Sequence, residues 1–484
     1  MELRIFGAAQ EVTGSCHMIR ANGASVLLDC GLVQGRRLEA YRRNQSFPFD
    51  PESITAVVQS HAHLDHAGKL PMLVREGFRG AIHATHGTGE LCQLLLTDCA
   101  HVLMRDAEYL NRKRIKQKVR ARRKAKQNGL TLPQGLPKEE VLPLYLHEDV
   151  GETMALFSTH GYGEWFEVGP GMVFRFREAG HTFGSAWLEA VIQENGKSWR
   201  LAYSGDYGRA GLPILRDPEP FGETDILICE STYGNTVHPE FQGMVHDLAE
   251  AVQRLVQRGH GRLLIPSFAV GRTQNVLYCL GRVFDEALAP QVPVVVDSPL
   301  ATAATKLITQ YPEYFDQETL ELLANGNGGP FFPGLRFTES VEESKALNQE
   351  EGPLVIVSAS GMMENGRILH HLARYVSRRD AEILVVGFQA DGTLGRRLLE
   401  GAATVNILGD SYKVNARITP MMGFSSHADR RDLLQVLNPL AKKTGTMILV
   451  HGEDEQRKPL AKALRDLGFP RVEEPVEKQA FRFS

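Results

Sequence analysis

Short apolar runs that stop abruptly at small or polar clusters recur along the whole chain. They read ASVLLDCG, ITAVVQSHAH, MVFRFREAGH, WRLAYSGD, DILICEST, RLLIPSF, PVVVDSPL, PLVIVSAS, EILVVGF and TMILVHGE. Brief runs rich in Val, Ile and Leu are the pattern of strands buried on both faces. Several lead straight into amphipathic helical stretches, among them AGKLPMLVREG, GRTQNVLYCLGRVFDEAL and NGRILHHLARYV. Strand, turn and helix in repetition predict an α/β chain. At 484 residues and 43% apolar composition there is core enough for two domains.

The polar residues at the ends of these strands carry the chemistry. Asp29, His61, His63, Asp65, His66, His181, Asp206, Glu230 and His451 all fall at a strand end or just beyond it. In open α/β sheets, sites collect outside the carboxyl ends of the strands. One polar residue there is a turn, whereas this set predicts a shared site. Its densest stretch is SHAHLDHAG, Ser60 to Gly68. A single histidine is ordinarily a core or surface residue, and His17, His83, His86, His101, His147, His160, His246, His260, His370 and His371 are assigned no role. Packing alone gives no reason for imidazoles and a carboxylate to alternate through a turn. In an extended segment His61 and His63 point the same way, and Asp65 and His66 follow where the chain enters a helix. Divalent metal supplies the reason, because Zn²⁺ takes imidazole nitrogen and carboxylate oxygen readily.

The middle of the chain differs. From about Asn235 to Gly423 the strand ends are small and neutral: IPSFAVGR, DSPLATAA, SASGMMENG. Each precedes a helix whose backbone N–H groups could cradle phosphate oxygens, and each also reads as a tight turn. The earlier pattern resumes at GFSSHAD and LVHGE, as a domain inserted into another domain would require.

Charge and cysteine usage narrow the setting. With 54 Lys+Arg against 58 Asp+Glu the net charge is −4, so affinity for nucleic acid has to come from a local basic surface. One candidate is NRKRIKQKVRARRKAK, Asn111 to Lys126, without an acidic residue and in helical phase with the preceding ELCQLLLTDCAHVLMRDAEYL. Asn128-Gly129 is its expected C-terminal cap. Such a run reads either as a solvated face or as an RNA contact. The six cysteines, Cys16, Cys30, Cys92, Cys99, Cys229 and Cys279, contain no CxxC pair and suit reduced thiols in a cytoplasm. The start lacks a signal-peptide pattern, and no apolar run is long enough to span a bilayer. A cytoplasmic protein without membrane contact is expected.

HAHLDH, with Asp29 before it and His181 and Asp206 after it, resembles the signature of the metallo-β-lactamase superfamily. Glu230 in CESTYG, His427 in GFSSHAD and His451 in LVHGE resemble motifs A, B and C of the β-CASP branch, which holds the cleavage and polyadenylation specificity factor endonuclease, its bacterial and archaeal relatives, and RNase J. EVTGSCHMI, GDYGR, FAVGRTQ and SASGMMENGRILHHL extend the likeness over the whole chain. The resemblance implies an αββα sandwich with an inserted α/β cap and the active site in the cleft between them. It places the first domain at 1–234 and 426–484 and the insert at 235–425.

Residue by residue, it implies two divalent metals, with Zn the expected ion. His61, His63 and His181 hold the first, Asp65, His66 and His451 the second, and Asp206 bridges them. Asp29 orients the ligand loop. His427 is the general acid for the departing 3′-oxygen, and Glu230 orients it and favours its imidazolium; Asp65 also stands as a catalytic candidate through the attacking water. Glu230 reads alternatively as a strand-end carboxylate capping a turn, and His427 as the first-turn residue of a helix capped by Ser425 or Ser426. Ser425, Ser426, Ser360 and Gly361 are the candidate substrate contacts. The implied function is a metal-dependent ribonuclease cutting single-stranded RNA internally to 3′-hydroxyl and 5′-phosphate ends, with a homodimer as a candidate assembly. The alternatives are a 5′-exoribonuclease like RNase J, whose members usually carry an extra C-terminal domain, a small-substrate hydrolase, or a non-catalytic RNA-binding subunit. The last has lost ligands, whereas every metal position here is filled.

Overall fold

The computed structural model describes residues 1–35, 37–127, 140–324, 331–387, 389–390 and 392–484. Two seven-stranded sheets face one another. The first holds, in spatial order, Ala480–Arg482, Glu2–Ile5, His17–Ala21, Ala24–Leu28, Ala56–Val58, Ala81–Thr85 and Phe157–His160. The second holds Val472–Glu473, Thr446–Val450, Ile226–Glu230, Lys197–Tyr203, Ala186–Glu194, Met172–Glu178 and Phe166–Gly169.

Period-two alternation sends each strand into two cores. Val26 and Leu28 enter the layer between the sheets, where they meet Phe174, Phe176, Leu188 and Ile228, while Leu27 faces the helical layer outside. Leu227 and Cys229 do the same on the other sheet, against the helices Arg430–Leu437 and Asp454–Asp466. Each fully buried Leu or Phe contributes roughly 1.5–3 kcal/mol of apolar burial. The result is the helix–sheet–sheet–helix sandwich expected.

The chain leaves the second sheet after Glu230 and rejoins it at Thr446, and the two strands pair in parallel, Ile226 opposite Thr446 and Glu230 opposite Val450. Between them lies a six-stranded sheet, parallel throughout, in the order Leu335–Phe337, Val294–Val296, Pro353–Ser358, Gly261–Pro266, Ala381–Val385, Arg417–Pro420. Helices Phe241–Arg258 and Arg272–Asp285 cover one face, Ile368–Tyr375 and Leu394–Leu399 the other.

This cap is bolted to the sandwich. Tyr314 and Phe315 are buried in the sandwich's helical core. The Tyr314 hydroxyl accepts from the Gly87 N–H at 2.9 Å, and Leu215 and Phe315 form an antiparallel bridge.

The helix His86–Gln127 runs for 42 residues, about 63 Å at 1.5 Å per residue. The side chains of the basic run beyond Lys116, Val119 apart, lie outside the described residues, and so does the expected cap at Asn128-Gly129. Among the described residues no helix is long and apolar enough to cross a membrane.

Candidate metal centre

The strand Ala56–Val58 ends in an extended loop, and the helix Leu64–Ala67 begins at His63, whose φ of −58° and ψ of 145° close the loop. The loop carries His61 and His63 on one side, and their rings meet edge to face at 4.8 Å. His66 sits one helical step further on. The segment from Asp29 to Leu32 packs directly on this turn, through Cys30 N–H to His66 O at 2.7 Å and Leu32 N–H to Leu64 O at 2.8 Å. A Cβ at Gly31 would lie 1.7 Å from the Asp65 carbonyl oxygen, so only glycine permits the approach.

Four distant segments converge here. His61 Nε2 lies 3.1 Å from His63 Nδ1 and 3.3 Å from Asp206 Oδ2; His181 Nε2 lies 3.3 Å from His63 Nδ1 and 3.5 Å from Asp206 Oδ2. On the other side of Asp206, Oδ1 is 3.1 Å from His66 Nε2 and 3.6 Å from His451 Nδ1, and His451 Nε2 is 3.5 Å from Asp65 Oδ2. Four donors bonded at 2.0–2.1 Å around one tetrahedral ion stand about 3.3–3.4 Å apart. The donors therefore fit a divalent metal. Asp206 Oδ1 and His451 Nε2, both buried, make no hydrogen bond among the described residues, and unpaired buried polar atoms are costly unless an ion takes them.

The electrostatics favour the donor state at His63, His181 and Asp206; at His66 burial is outweighed by the Asp206 and Asp29 carboxylates, which raise its pKa well above the ordinary histidine value, so an ion held there would displace a proton. Burial, helped by the neighbouring charge of His61, pushes His63 down to about 3. Burial and His427 hold His181 well below the ordinary histidine value, so both rings are neutral with lone pairs free. Burial alone would raise Asp206, but His451, His66 and His427 outweigh it and hold the carboxyl well below its ordinary value. Neutral imidazoles and ionised carboxylates are the forms that bind metal.

Asp29 is fully buried, with φ of 61°. Its carboxylate accepts from the Ser60 N–H and hydroxyl, both at 2.7 Å, from His66 Nδ1 at 2.7 Å and from the Tyr203 hydroxyl at 2.8 Å. A hydrogen bond at Nδ1 fixes the His66 ring and leaves Nε2 for the metal. His451, with φ of 48°, is a second non-glycine residue in left-handed backbone. Such conformations persist only where surrounding structure imposes them.

Beside the cluster stand His427 and Glu230. His427 Nδ1 is 3.0 Å from Glu230 Oε2 and 3.2 Å from Oε1, and its Nε2 points toward the cluster, 3.8 Å from Asp206 Oδ2. Burial lowers the pKa of His427, but the carboxylates of Glu230 and Asp206 more than offset it and raise it to about 9. Glu230 is fully buried and accepts from the Tyr207 N–H at 2.5 Å and from the Thr232 hydroxyl. The loop bearing His427 is held by an antiparallel bridge to Gly208 and by Ala428 N–H to Tyr207 O at 2.8 Å.

The candidate substrate residues scatter. Ser425 is buried, and the Ser426 hydroxyl lies 3.3 Å from His181 Nδ1. Ser360 and Gly361 follow the cap strand Pro353–Ser358. Tyr203 and Thr232 escaped the sequence reading, although each lies within three positions of a residue that was found. Thr232 bridges Glu230 to His451, its hydroxyl 3.0 Å from His451 Nδ1; only chain proximity could have flagged it.

Comparison with known proteins gives three matching domain families. Residues 9–96 match the metallo-beta-lactamase superfamily, 273–398 the Beta-Casp domain, and 411–474 the Zn-dependent metallo-hydrolase RNA specificity domain. The chain is 36% identical over 465 residues to Ribonuclease TTHA0252 of Thermus thermophilus, covering 96% of each. It is 29% identical to Transcription termination factor FttA of Methanocaldococcus jannaschii, covering 100% of this chain and 72% of that protein. A crystal structure of a protein of unknown function from Enterococcus faecalis shares the fold at 12% identity, with a TM-score of 0.54 over 99% of both chains. The chain belongs to the metallo-β-lactamase superfamily, in its β-CASP branch.

Proposed function

We propose that this chain is a metal-dependent ribonuclease that hydrolyses phosphodiester bonds of single-stranded RNA, cutting internally and leaving 3′-hydroxyl and 5′-phosphate ends. The observation that carries the reading is the His427–Glu230 pair set against the Asp206 donor cluster. A hydrolase acting on a good leaving group needs no second acid, whereas a departing ribose alkoxide needs a proton. The RNA specificity family matched at residues 411–474 and the ribonuclease relative support RNA as the substrate. Internal cleavage rests on the resemblance to the polyadenylation endonuclease.

His61, His63 and His181 would hold one ion and Asp65, His66 and His451 a second, with Asp206 between them; the nitrogen-rich donor set favours Zn. Two such ions, when bound, activate water and neutralise charge building on the phosphoryl oxygens. The chain's own residues do the rest. Asp29 fixes the His66 ring, and Ser426 meets the His181 ring at Nδ1. Glu230 holds Nδ1–H of His427, so the remaining proton, on Nε2, is presented to the departing 3′-oxygen.

The hydrolase domain is taken as 1–234 with 426–484, and the cap as 235–425. The six cap strands, from Gly261 to Pro420, and the helix Phe241–Arg258 lie inside those bounds. Ser425, Ser360 and Gly361 remain the candidate substrate contacts, and a cytoplasmic setting suits six free cysteines.

The test is a cleavage time course on one RNA labelled separately at each end, with and without chelator. Internal fragments from both labels that vanish on chelation are expected. Mononucleotide release from one end turns the reading to an exonuclease, and RNA left intact with every divalent ion removes the ribonuclease reading.

A further inference from the structure

Two neighbouring strands of the cap sheet, Gly261–Pro266 and Pro353–Ser358, run parallel, yet the helices that follow them pack on opposite faces. Such a reversal opens a crevice at the carboxyl ends of the strands, where ligands collect in α/β sheets. One wall is the loop after Pro266, which enters the helix Arg272–Asp285; the other is the loop carrying Ser360 and Gly361. The crevice adjoins the metal centre. Gly271 and Asn275, at the start of that helix, line a cavity together with His181 and Ser426. A Cβ at Gly271 would lie 3.6 Å from Thr182 Oγ1, so the helix start lies against the His181 loop.

Phe268 and Arg272 belong to the first wall. Phe268 is 39% exposed, and one side of its ring rests on bare backbone, since a Cβ at Gly361 would come within 3.0 Å of two ring carbons. Arg272 Cζ is 5.9 Å from the centre of that ring. The guanidinium is half-buried and also meets backbone: Nη1 donates to Val386 O, and a Cβ at Gly387 would stand 2.1 Å from the same nitrogen. Among the described residues it pairs with no carboxylate. Burial pushes its pKa down to about 10, the Tyr233 hydroxyl offsetting part of that, so the charge persists at neutral pH. The Tyr233 ring lies 6.0 Å from the His427 ring. Other cap arginines are paired, Arg254 with the buried Glu382 and Arg367 with the buried Asp297, each at 2.7 Å. A desolvated cation without a counter-ion is costly, and an anionic ligand removes the cost. The planar guanidinium suits phosphate, and an exposed aromatic ring suits a base.

We propose that Arg272 and Phe268 form a nucleotide subsite on the cap wall of the cleft, in which Arg272 binds a phosphate of the RNA strand flanking the scissile bond and Phe268 stacks the base beside it. The subsite rests on the ribonuclease reading for the identity of its ligand, and it adds the residues that hold the strand. Neither contact reads sequence, because the guanidinium meets phosphate and every base has a face to stack. Both residues act in binding, so they govern KM more than kcat.

The test compares the full chain with R272Q, F268A and F268W. Affinity for an oligouridine of about eight nucleotides is read by fluorescence anisotropy in chelator across a salt series, and steady-state cleavage of the same RNA is read with Zn²⁺. F268A and R272Q are each expected to weaken binding and raise KM by about 10-fold, with kcat within about threefold of the parent; F268W should match the parent. The log–log salt slope should flatten by about 0.7 in R272Q, the share of one phosphate contact on a single strand, and stay unchanged in F268A. An abasic ribose-phosphate chain of the same length should bind F268A as tightly as the parent and R272Q more weakly. Thermal melts check the fold, and F268A, which truncates an exposed ring, keeps the test decisive where R272Q loosens the loop at Val386. Parental affinity in F268A, or a parental salt slope in R272Q, overturns the subsite; with RNA still cut, the ribonuclease reading stands. Binding that depends on Phe268 and Arg272 in a chain that cuts no RNA sustains the subsite and removes the ribonuclease reading instead.

Discussion

His427 and Glu230 stand 197 positions apart in the chain, yet Nδ1 of one lies 3.0 Å from Oε2 of the other. The parallel pairing of Ile226–Glu230 with Thr446–Val450 brings the two ends of the insert together, and the His427 loop closes over the gap. An imidazole is thereby fixed beside the donor cluster by elements of the sandwich. His427→Ala should therefore lower kcat by about 10²–10⁴-fold while metal content and RNA affinity stay at parental values. Single-turnover rates, metal analysis and RNA titration check this; full turnover in the variant would remove the acid role.

The pH profile follows from the same pair. His427 must be protonated to act as an acid, and its pKa is raised from 6.5 to about 9. Activity should persist through neutral pH and fall as pH rises through about 9. Glu230→Gln removes the nearest stabilising charge, so the falling limb should move toward lower pH. Measuring kcat against pH for both proteins decides it, since a limb that stays in place belongs to another group.

Asp29 acts through His66, which it holds at 2.7 Å. Asp29→Asn keeps the shape and removes the charge, and divalent-ion affinity should fall by about 10–100-fold. Competition with a metal-binding dye reads the affinity directly. Tyr203→Phe, which deletes one of four hydrogen bonds to the same carboxylate, should have a much smaller effect.

Chelation should lower the melting temperature. Asp65 and Asp206 share one buried pocket with five imidazoles, and an ion that binds only the folded chain stabilises it by about 4 kcal/mol at a thousandfold excess over Kd. A fall of several degrees, restored by added Zn²⁺, is expected in a thermal melt. A melt insensitive to chelator and zinc counts against the site.

Tyr314 ties the cap to the sandwich. Tyr314→Ala should destabilise by about 3–5 kcal/mol through the buried cavity it leaves. Tyr314→Phe, which keeps the ring and loses the bond from the Gly87 N–H, should cost about 1–3 kcal/mol. Denaturant unfolding of the two variants separates packing from hydrogen bonding.

Much of the site was readable because its densest part is local. His61, His63, Asp65 and His66 occupy one loop and one helical turn, so spacing alone places them together. The strands were readable for a similar reason. Val26, Leu27 and Leu28 are all apolar because they serve a core on each face of the sheet, and such runs stand out in any sequence.

What spacing cannot encode is which strand ends meet. The sequence by itself determined the α/β pattern, the metal-binding loop and the charge of the basic run. The tertiary structure alone decided that Asp206 lies between two donor groups, that Ser426 reaches His181 and that Tyr203 holds Asp29. Local pattern reports the preferences of neighbouring residues, whereas these contacts exist only after sheet pairing has brought together segments separated by tens to hundreds of residues.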